Sequence, residues 1–232
     1  MSIHDGHRKR LKERYLKEGL DNFDELHVLE LALFYSMGRK DTNPVAHGLL
    51  ERFGSLQQVM EASPEELMKV EGVGDHTATF LHLIRDMGRY YQVKCAEANS
   101  FLQTIDQCGE YLLPYFFGRK NETVFLLCLD AKCKVRACHN MGEGGVNSAN
   151  ISIRSLVEAA LRVNATSVVL AHNHPSGLAL PSEADVQTTI RLGKALRMVD
   201  IILVDHIIVC DDDYVSLVQS GRFSQSMLNS EE

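Results

Sequence analysis

The sequence predicts an α/β sandwich over residues 100–225, preceded by a small all-α domain over residues 1–94 and followed by a tail at 226–232. Three observations carry that reading. Apolar residues recur at helical spacing from about Lys9 to Tyr91, short apolar β-branched runs appear after Gln92, and amphipathic helical segments separate those runs. A chain of 232 residues has room for one large domain or two small ones, at roughly 100–200 residues per domain.

The helical part is built from short pieces. Leu26, Val28, Leu29, Leu31, Ala32 and Phe34 form one apolar face, and Val45, Leu49, Leu50 and Phe53 form another. Breaks fall at Gly38, at Gly54 and at Ser63-Pro64, where Ser63 suits an N-cap, Pro64 the first helical position, and Glu65 and Glu66 the positive helix end. Such helices have too little apolar face to stand alone and must pack on one another. Beyond them, residues 100–117 predict another helix, and Thr123–Leu129 is an apolar run ending at Asp130. A turn at Ala131–Lys134 joins that run to a second strand at Val135–His139. Ser155–Val163 is an amphipathic helix. Ser167–Ala171 is short and uniformly apolar, which predicts a central buried strand. Ser182–Val199 is helical, Ile201–Val204 and His206–Val209 are strand-like, and Ser224–Glu232 reads as a frayed end.

Composition narrows the function classes. The chain is 45 % hydrophobic and 24 % charged, with 5 prolines and 16 glycines, as in an ordinary globular protein. No apolar run reaches the ~20 residues that span a bilayer, and the opening Met1–Asp5 leads into a basic polar helix, so a cytoplasmic protein with no signal peptide or membrane partner is expected. Net charge is −7, with −3 over residues 1–100 and −4 over residues 101–232, which argues against strong attraction to phosphates. Arg8, Lys9, Arg10, Lys12, Arg14 and Lys17 crowd the first helix, but Glu13 and Glu18 lie among them and a solvated face explains the run. Cys95, Cys108, Cys128, Cys133, Cys138 and Cys210 have no Cys-x-x-Cys spacing and read as reduced thiols. Cys133, Cys138 and His139 offer a zinc reading that the turn at Cys133 and the missing fourth ligand disfavour.

The chemistry concentrates after the central strand. His172 and His174 stand two apart at the end of an extended run, so both imidazoles project from one face while Asn173 points away. Pro175 and Gly177 stop the strand, and Ser182 and Asp185 open the next helix after a loop of seven residues. Two neutral imidazoles and a carboxylate, converging from a strand end and a helix start, would bind a divalent ion through three protein ligands. The fourth position stays open for water, as in catalytic zinc. Each element has a plainer reading. Ser182 and Asp185 also make a capping box, a His-x-His pair can be a polar sheet face, and the same donors suit non-haem iron. Their combination favours a metal site.

The string His-x-His, seven residues, Ser, two residues, Asp resembles the signature of the JAMM (MPN+) metallopeptidases. With Asn173 between the histidines and Pro175-Ser176-Gly177 after them, it is similar to the bacterial, UPF0758-like RadC family. Gly6–Arg14, Leu49–Leu56, Asp205-His206-Ile207-Ile208 and Tyr214-Val215-Ser216-Leu217 extend the resemblance over nearly the whole chain. One departure stands out: Ser152-Ile153-Arg154-Ser155 occupies the place where RadC-like chains often read His-Pro-Arg-Glu. The resemblance implies a JAMM/MPN fold of the cytidine-deaminase-like type, with His172, His174 and Asp185 as zinc ligands and Ser182 beside the reacting water or oxyanion. It also implies an upstream glutamate as general base. Glu122 and Glu143 are the candidates, and Glu122, directly before a strand, is preferred. His206 reads as a structural histidine.

Val70-Glu71-Gly72-Val73-Gly74-Asp75-His76-Thr77-Ala78 resembles a helix-hairpin-helix motif, whose glycines let backbone N–H groups meet a phosphate. Gly72 and Gly74 are therefore candidate nucleic-acid contacts, although the acid at Asp75 opposes one. The expected function is cleavage of an amide or isopeptide bond in a protein or peptide substrate by metal-activated water. The alternative is a RadC-like, DNA-repair-associated nucleic-acid-binding module whose metal site is structural or vestigial.

Overall fold

A computed structural model of the chain describes residues 3–38, 40–98, 101–144, 151–175 and 179–229. Two compact units emerge, Met1–Gly88 and Arg89–Glu232. No helix is long and apolar enough to cross a membrane among the described residues.

The first unit holds α1 (Ile3–Glu18), α2 (Glu25–Ser36), α3 (Asn43–Phe53), α4 (Leu56–Glu61), α5 (Pro64–Leu67) and the first half of α6 (Asp75–Ala98). Polar side chains start these short helices: Asp24, Ser55 and Ser63 each accept a bond from an N–H of the first turn, and Ser63 closes a capping box with Glu66. Their apolar faces meet in one core containing Leu29, Leu33, Leu49, Val59, Leu67 and Leu81. Between α5 and α6 the chain makes the helix-hairpin-helix turn. Gly72 sits at φ +87°, and a Cβ there would stand 2.8 Å from Val45 Cγ2. Gly74 has open space around it, and its carbonyl accepts from Ala78 N at 3.0 Å to begin α6. The basic residues of α1 serve the fold: Arg8 donates to the carbonyls of Met37 and Lys40 at 2.8 and 2.6 Å, closing the end of α2, and Arg14 donates to Asn22 O.

In the second unit, α6 continues past Gln92 because Val93 and Ala96 find a second apolar cluster. There follow α7 (Ile105–Phe116), β1 (Thr123–Leu129), β2 (Val135–Glu143), α8 (Ile153–Arg162), β3 (Ser167–Asn173), α9 (Glu183–Arg197), β4 (Ile202–Cys210) and β5 (Asp213–Ser216). The sheet order is β2-β1-β3-β4-β5, with β3 and β4 parallel and the other neighbours antiparallel. Alternation divides the strands between two cores. Val124, Leu126, Val168 and Leu170 face α8 and α9, while Phe125, Leu127, Val169 and Ala171 face α7. The sandwich predicted from the interleaved periods is therefore present, with β3 buried along its length between β1 and β4.

Two features depart from the sequence reading. Ile202–Cys210 is one strand, not two pieces broken at Asp205, because a bulge absorbs one residue: Val168 pairs with Leu203 but Val169 with Asp205. The end expected to fray contains a 3-10 turn at Gln225–Asn229, where the single apolar anchor Leu228 is buried over the gap left by Gly193. Gln225 Nε2 ties that turn to Leu203 O at 2.6 Å.

Gly109 of α7 carries a comparable constraint, since a Cβ there would lie 2.3 Å from the Tyr214 ring. Gly109→Ala should lower unfolding stability by about 1–3 kcal/mol through overpacking. Gly88→Ala in α6, which meets nothing within 4 Å, should instead raise it by about 0.5–1 kcal/mol through helix propensity. Denaturant melts of the two variants check this pair.

Candidate metal centre

At its C-terminal end β3 delivers two histidines to one point. His172 lies on the α9 side of the sheet and is completely buried. His174, just beyond the strand, is held by its N–H donating to Val209 O at 2.9 Å. The two rings meet with their Nε2 atoms 2.9 Å apart.

The first turn of α9 brings a carboxylate to the same point. Ser182 caps the helix: its backbone N–H and its hydroxyl donate to Asp185 Oδ2 at 2.8 and 2.6 Å, and its oxygen accepts from Asp185 N at 3.2 Å. That box, one of the plainer readings of the sequence, does form. It leaves Asp185 Oδ1 at 3.4 Å from His172 Nε2, with Oδ2 at 3.7 Å from His174 Nε2. Asp185 is buried, and the positive end of α9 favours its charge.

A second carboxylate arrives from the start of β1. Glu122 Oε1 lies 3.7 Å from His172 Nε2, and its side chain is 34 % exposed, unlike that of Asp185. Donor atoms of Glu122, His172 and His174 all lie within 4.8 Å of one another. Burial raises the Glu122 carboxyl above the usual range, and the Asp185 charge adds to that against the opposing pull of His174. Glu143, the other candidate base, ends β2 opposite Thr123 with its carboxylate accepting from Asn121 Nδ2 at 2.9 Å. The donor group includes Glu122 and leaves out both Glu143 and Asp185, whose carboxylate nonetheless reaches His172 Nε2 at 3.4 Å.

These donors fit a zinc-sized ion. Ligand bonds of ~2.0–2.1 Å in a tetrahedron set neighbouring donors about 3.3 Å apart, and His174 Nε2 and Asp185 Oδ1 stand 2.9 and 3.4 Å from His172 Nε2, near that spacing, with Glu122 Oε1 farther off at 3.7 Å. The other sequence candidate fares differently. Cys138 and His139 are neighbours on β2 and point to opposite faces, and burial pushes the Cys138 thiol up, away from the thiolate that a metal needs.

Comparisons with known proteins identify the family. A family model described as "RadC-like JAB domain" matches residues 102–222. The chain belongs to the RadC-like JAB-domain family. A UPF0758 protein of Fusobacterium nucleatum is 30 % identical over 223 residues, covering 93 % of this chain and 96 % of that one. A UPF0758 protein of Cellvibrio japonicus is 33 % identical over 213 residues, covering 92 % and 95 %. One of Bordetella parapertussis is 33 % identical over 211 residues, covering 91 % and 94 %.

Two residues of this RadC-like site escaped the sequence reading. Asn173 points away from the histidines, as alternation requires, and grips the backbone around Glu122. It accepts from Thr123 N at 2.8 Å and donates to Asn121 O at 3.3 Å. His206, read as structural, is buried against His172, with Nε2 2.8 Å from His172 Nδ1. A His-x-His pair that ends an all-apolar strand is the one signal that a further polar group must lie beneath it, since a buried ring nitrogen needs a partner.

Burial lowers His172 to about 4, and it puts His206 well below 6.5. Both rings are therefore neutral in the fold, whereas histidines of the unfolded chain take up protons below about 6.5. Between these values the unfolded state binds more protons, so the metal-free protein should lose stability as pH falls from about 6.5 towards 4. Urea midpoints across that window measure the slope. A midpoint independent of pH there would contradict the buried, neutral pair.

Proposed function

We propose that this chain is a zinc-dependent hydrolase of JAMM type that cleaves an amide or isopeptide bond in a protein or peptide. The observation that carries the reading is the pairing of two unequal carboxylates about one histidine nitrogen: Asp185 buried and bonded in place, Glu122 half-exposed with a raised pKa.

His172, His174 and Asp185 would hold the ion. When bound, zinc supplies an acidified water and a polarised substrate carbonyl. Glu122 has the exposure to meet water and substrate, and its raised carboxyl pKa suits a group that takes a proton and later returns it to the leaving amine. Asp185 suits ligation, because both Ser182 bonds fall on one oxygen and fix the direction of the other. Ser182 first orients Asp185. Its hydroxyl reaches a developing oxyanion only by turning from that carboxylate. A cytoplasmic setting belongs to the same proposal.

Nothing comparable supports a phosphate site at Gly72 and Gly74. Gly72 is explained by its close approach to Val45, and Asp75 stands in the first turn of α6.

Elemental analysis of protein prepared without a histidine tag, beside His172→Ala and Asp185→Ala, should find about one zinc per chain in the wild type and loss in both variants. Glu122→Gln should keep the zinc and lower cleavage of an amide or isopeptide substrate by about 10²–10⁴-fold. Wild type that takes up no zinc when supplied with it, or Glu122→Gln that loses the metal, would overturn these assignments.

A further inference from the structure

The ring nitrogens behind His172 form a chain that can run in one direction only. Thr189 Oγ1 lies 2.6 Å from Asp185 O and 2.6 Å from His206 Nδ1. His206 Nε2 lies 2.8 Å from His172 Nδ1. Thr189, His206 and His172 are all fully buried, so water cannot substitute for a missing partner.

A carbonyl oxygen carries no proton. The single hydroxyl proton of Thr189 must therefore lie toward Asp185 O, and at the hydroxyl oxygen His206 Nδ1 has to donate. A neutral His206 with its proton on Nδ1 has a bare Nε2, which accepts. The proton between the rings then belongs to His172 Nδ1. That leaves the lone pair on His172 Nε2, the atom facing His174, Asp185 and Glu122. Reversing the chain would set two oxygen lone pairs against each other at 2.6 Å, with Thr189 donating to His206 instead of to Asp185 O.

We propose that Thr189 and His206 are positioning residues that hold His172 as its Nδ1–H tautomer and keep its Nε2 lone pair aimed at the metal position. The proposal rests on the metal reading of the site, and it deepens it by naming what prepares the ligand before any ion arrives. It also joins two ligands, because the chain that orients His172 ends on the backbone of Asp185. The bulge in β4 makes this reachable. Counting by twos from Leu203 would put His206 on the α7 side of the sheet, and the extra residue returns it to the α9 side, diagonal to His172. Asp205 holds the bulge, accepting from His206 N at 2.7 Å, from Val218 N at 3.0 Å and from the Ser216 hydroxyl.

The test reads the tautomer directly in metal-free protein, by long-range proton–nitrogen correlation NMR of the histidine rings. His172 and His206 should both show a protonated Nδ1 and a bare Nε2. His174 Nε2, 2.9 Å from His172 Nε2, should then carry the proton between those two rings. Thr189→Val, which keeps the shape and removes the acceptor, should give mixed tautomers and weaken zinc binding by about 10–100-fold in competition with a chelator. Thr189→Ser, which keeps the hydroxyl, should restore both. A wild-type His172 protonated at Nε2, or a folded Thr189→Val that binds zinc like the wild type, would overturn the proposal. Should Thr189→Val fail to fold, the wild-type tautomers and the Thr189→Ser affinity still decide. Zinc binding that survives with the wrong tautomer would sink this inference and leave the hydrolase reading standing, whereas correct tautomers in a chain that binds no zinc would sink the hydrolase reading alone.

Discussion

A strand paired on both edges and buried on both faces cannot slide, and the site depends on that constraint at β3. Val124 faces His172 from β1 and Ile208 faces it from β4, so the register is pinned from two sides. A slip of one residue would turn His172 toward α7 and Asn173 toward α9, exchanging the metal-facing ring for an amide. The apolar residues Val168 to Ala171 thus act on the chemistry at a distance, by fixing which way the next three side chains point. Asn173 uses the opposite face of the same strand to hold the backbone on both sides of Glu122, so one strand end brings the two histidines and Glu122 together.

Desolvation explains why the polar groups at the site are so fully bonded to one another. A buried polar atom without a partner costs about 1–3 kcal/mol. At His172 both nitrogens have neighbours, His206 has both nitrogens used, and Asp185 Oδ2 takes two bonds from Ser182. Such a network holds its members still, and a stiff ligand set loses little order when an ion enters. Glu122 is the contrasting member. Partial exposure leaves it open to water, and its separation from the buried network is what the proposed division between base and ligand rests on.

Much of this was legible in the sequence, because its signals are local. The change from helical spacing to short apolar runs marked the passage from helices to sheet, and alternation gave the directions of His172, Asn173 and His174. The plainer and the sharper readings of Ser182 and Asp185 turned out to be compatible, since one carboxylate oxygen caps the helix while the other faces His172. What was not legible depends on long-range contact. Asn173 reaches back 50 residues to Thr123, and Thr189 meets His206 across 17. The bulge at Asp205 broke the strand into two apparent pieces and reversed the phase by which His206 would be assigned a face. Leu228 was hidden for a similar reason: a lone Met227-Leu228 pair in a polar stretch gives no period, although the gap over Gly193 is enough to seat Leu228.

The central claim is that one buried and one half-exposed carboxylate divide ligation from proton transfer about His172. Anomalous diffraction at the zinc absorption edge, on crystals of the zinc-loaded protein, tests it most directly. The account predicts a single anomalous peak bonded to His172 Nε2, His174 Nε2 and an Asp185 oxygen, with Glu122 beyond bonding distance. A peak bonded to Glu122 with Asp185 left outside, or one located away from the end of β3, would contradict it.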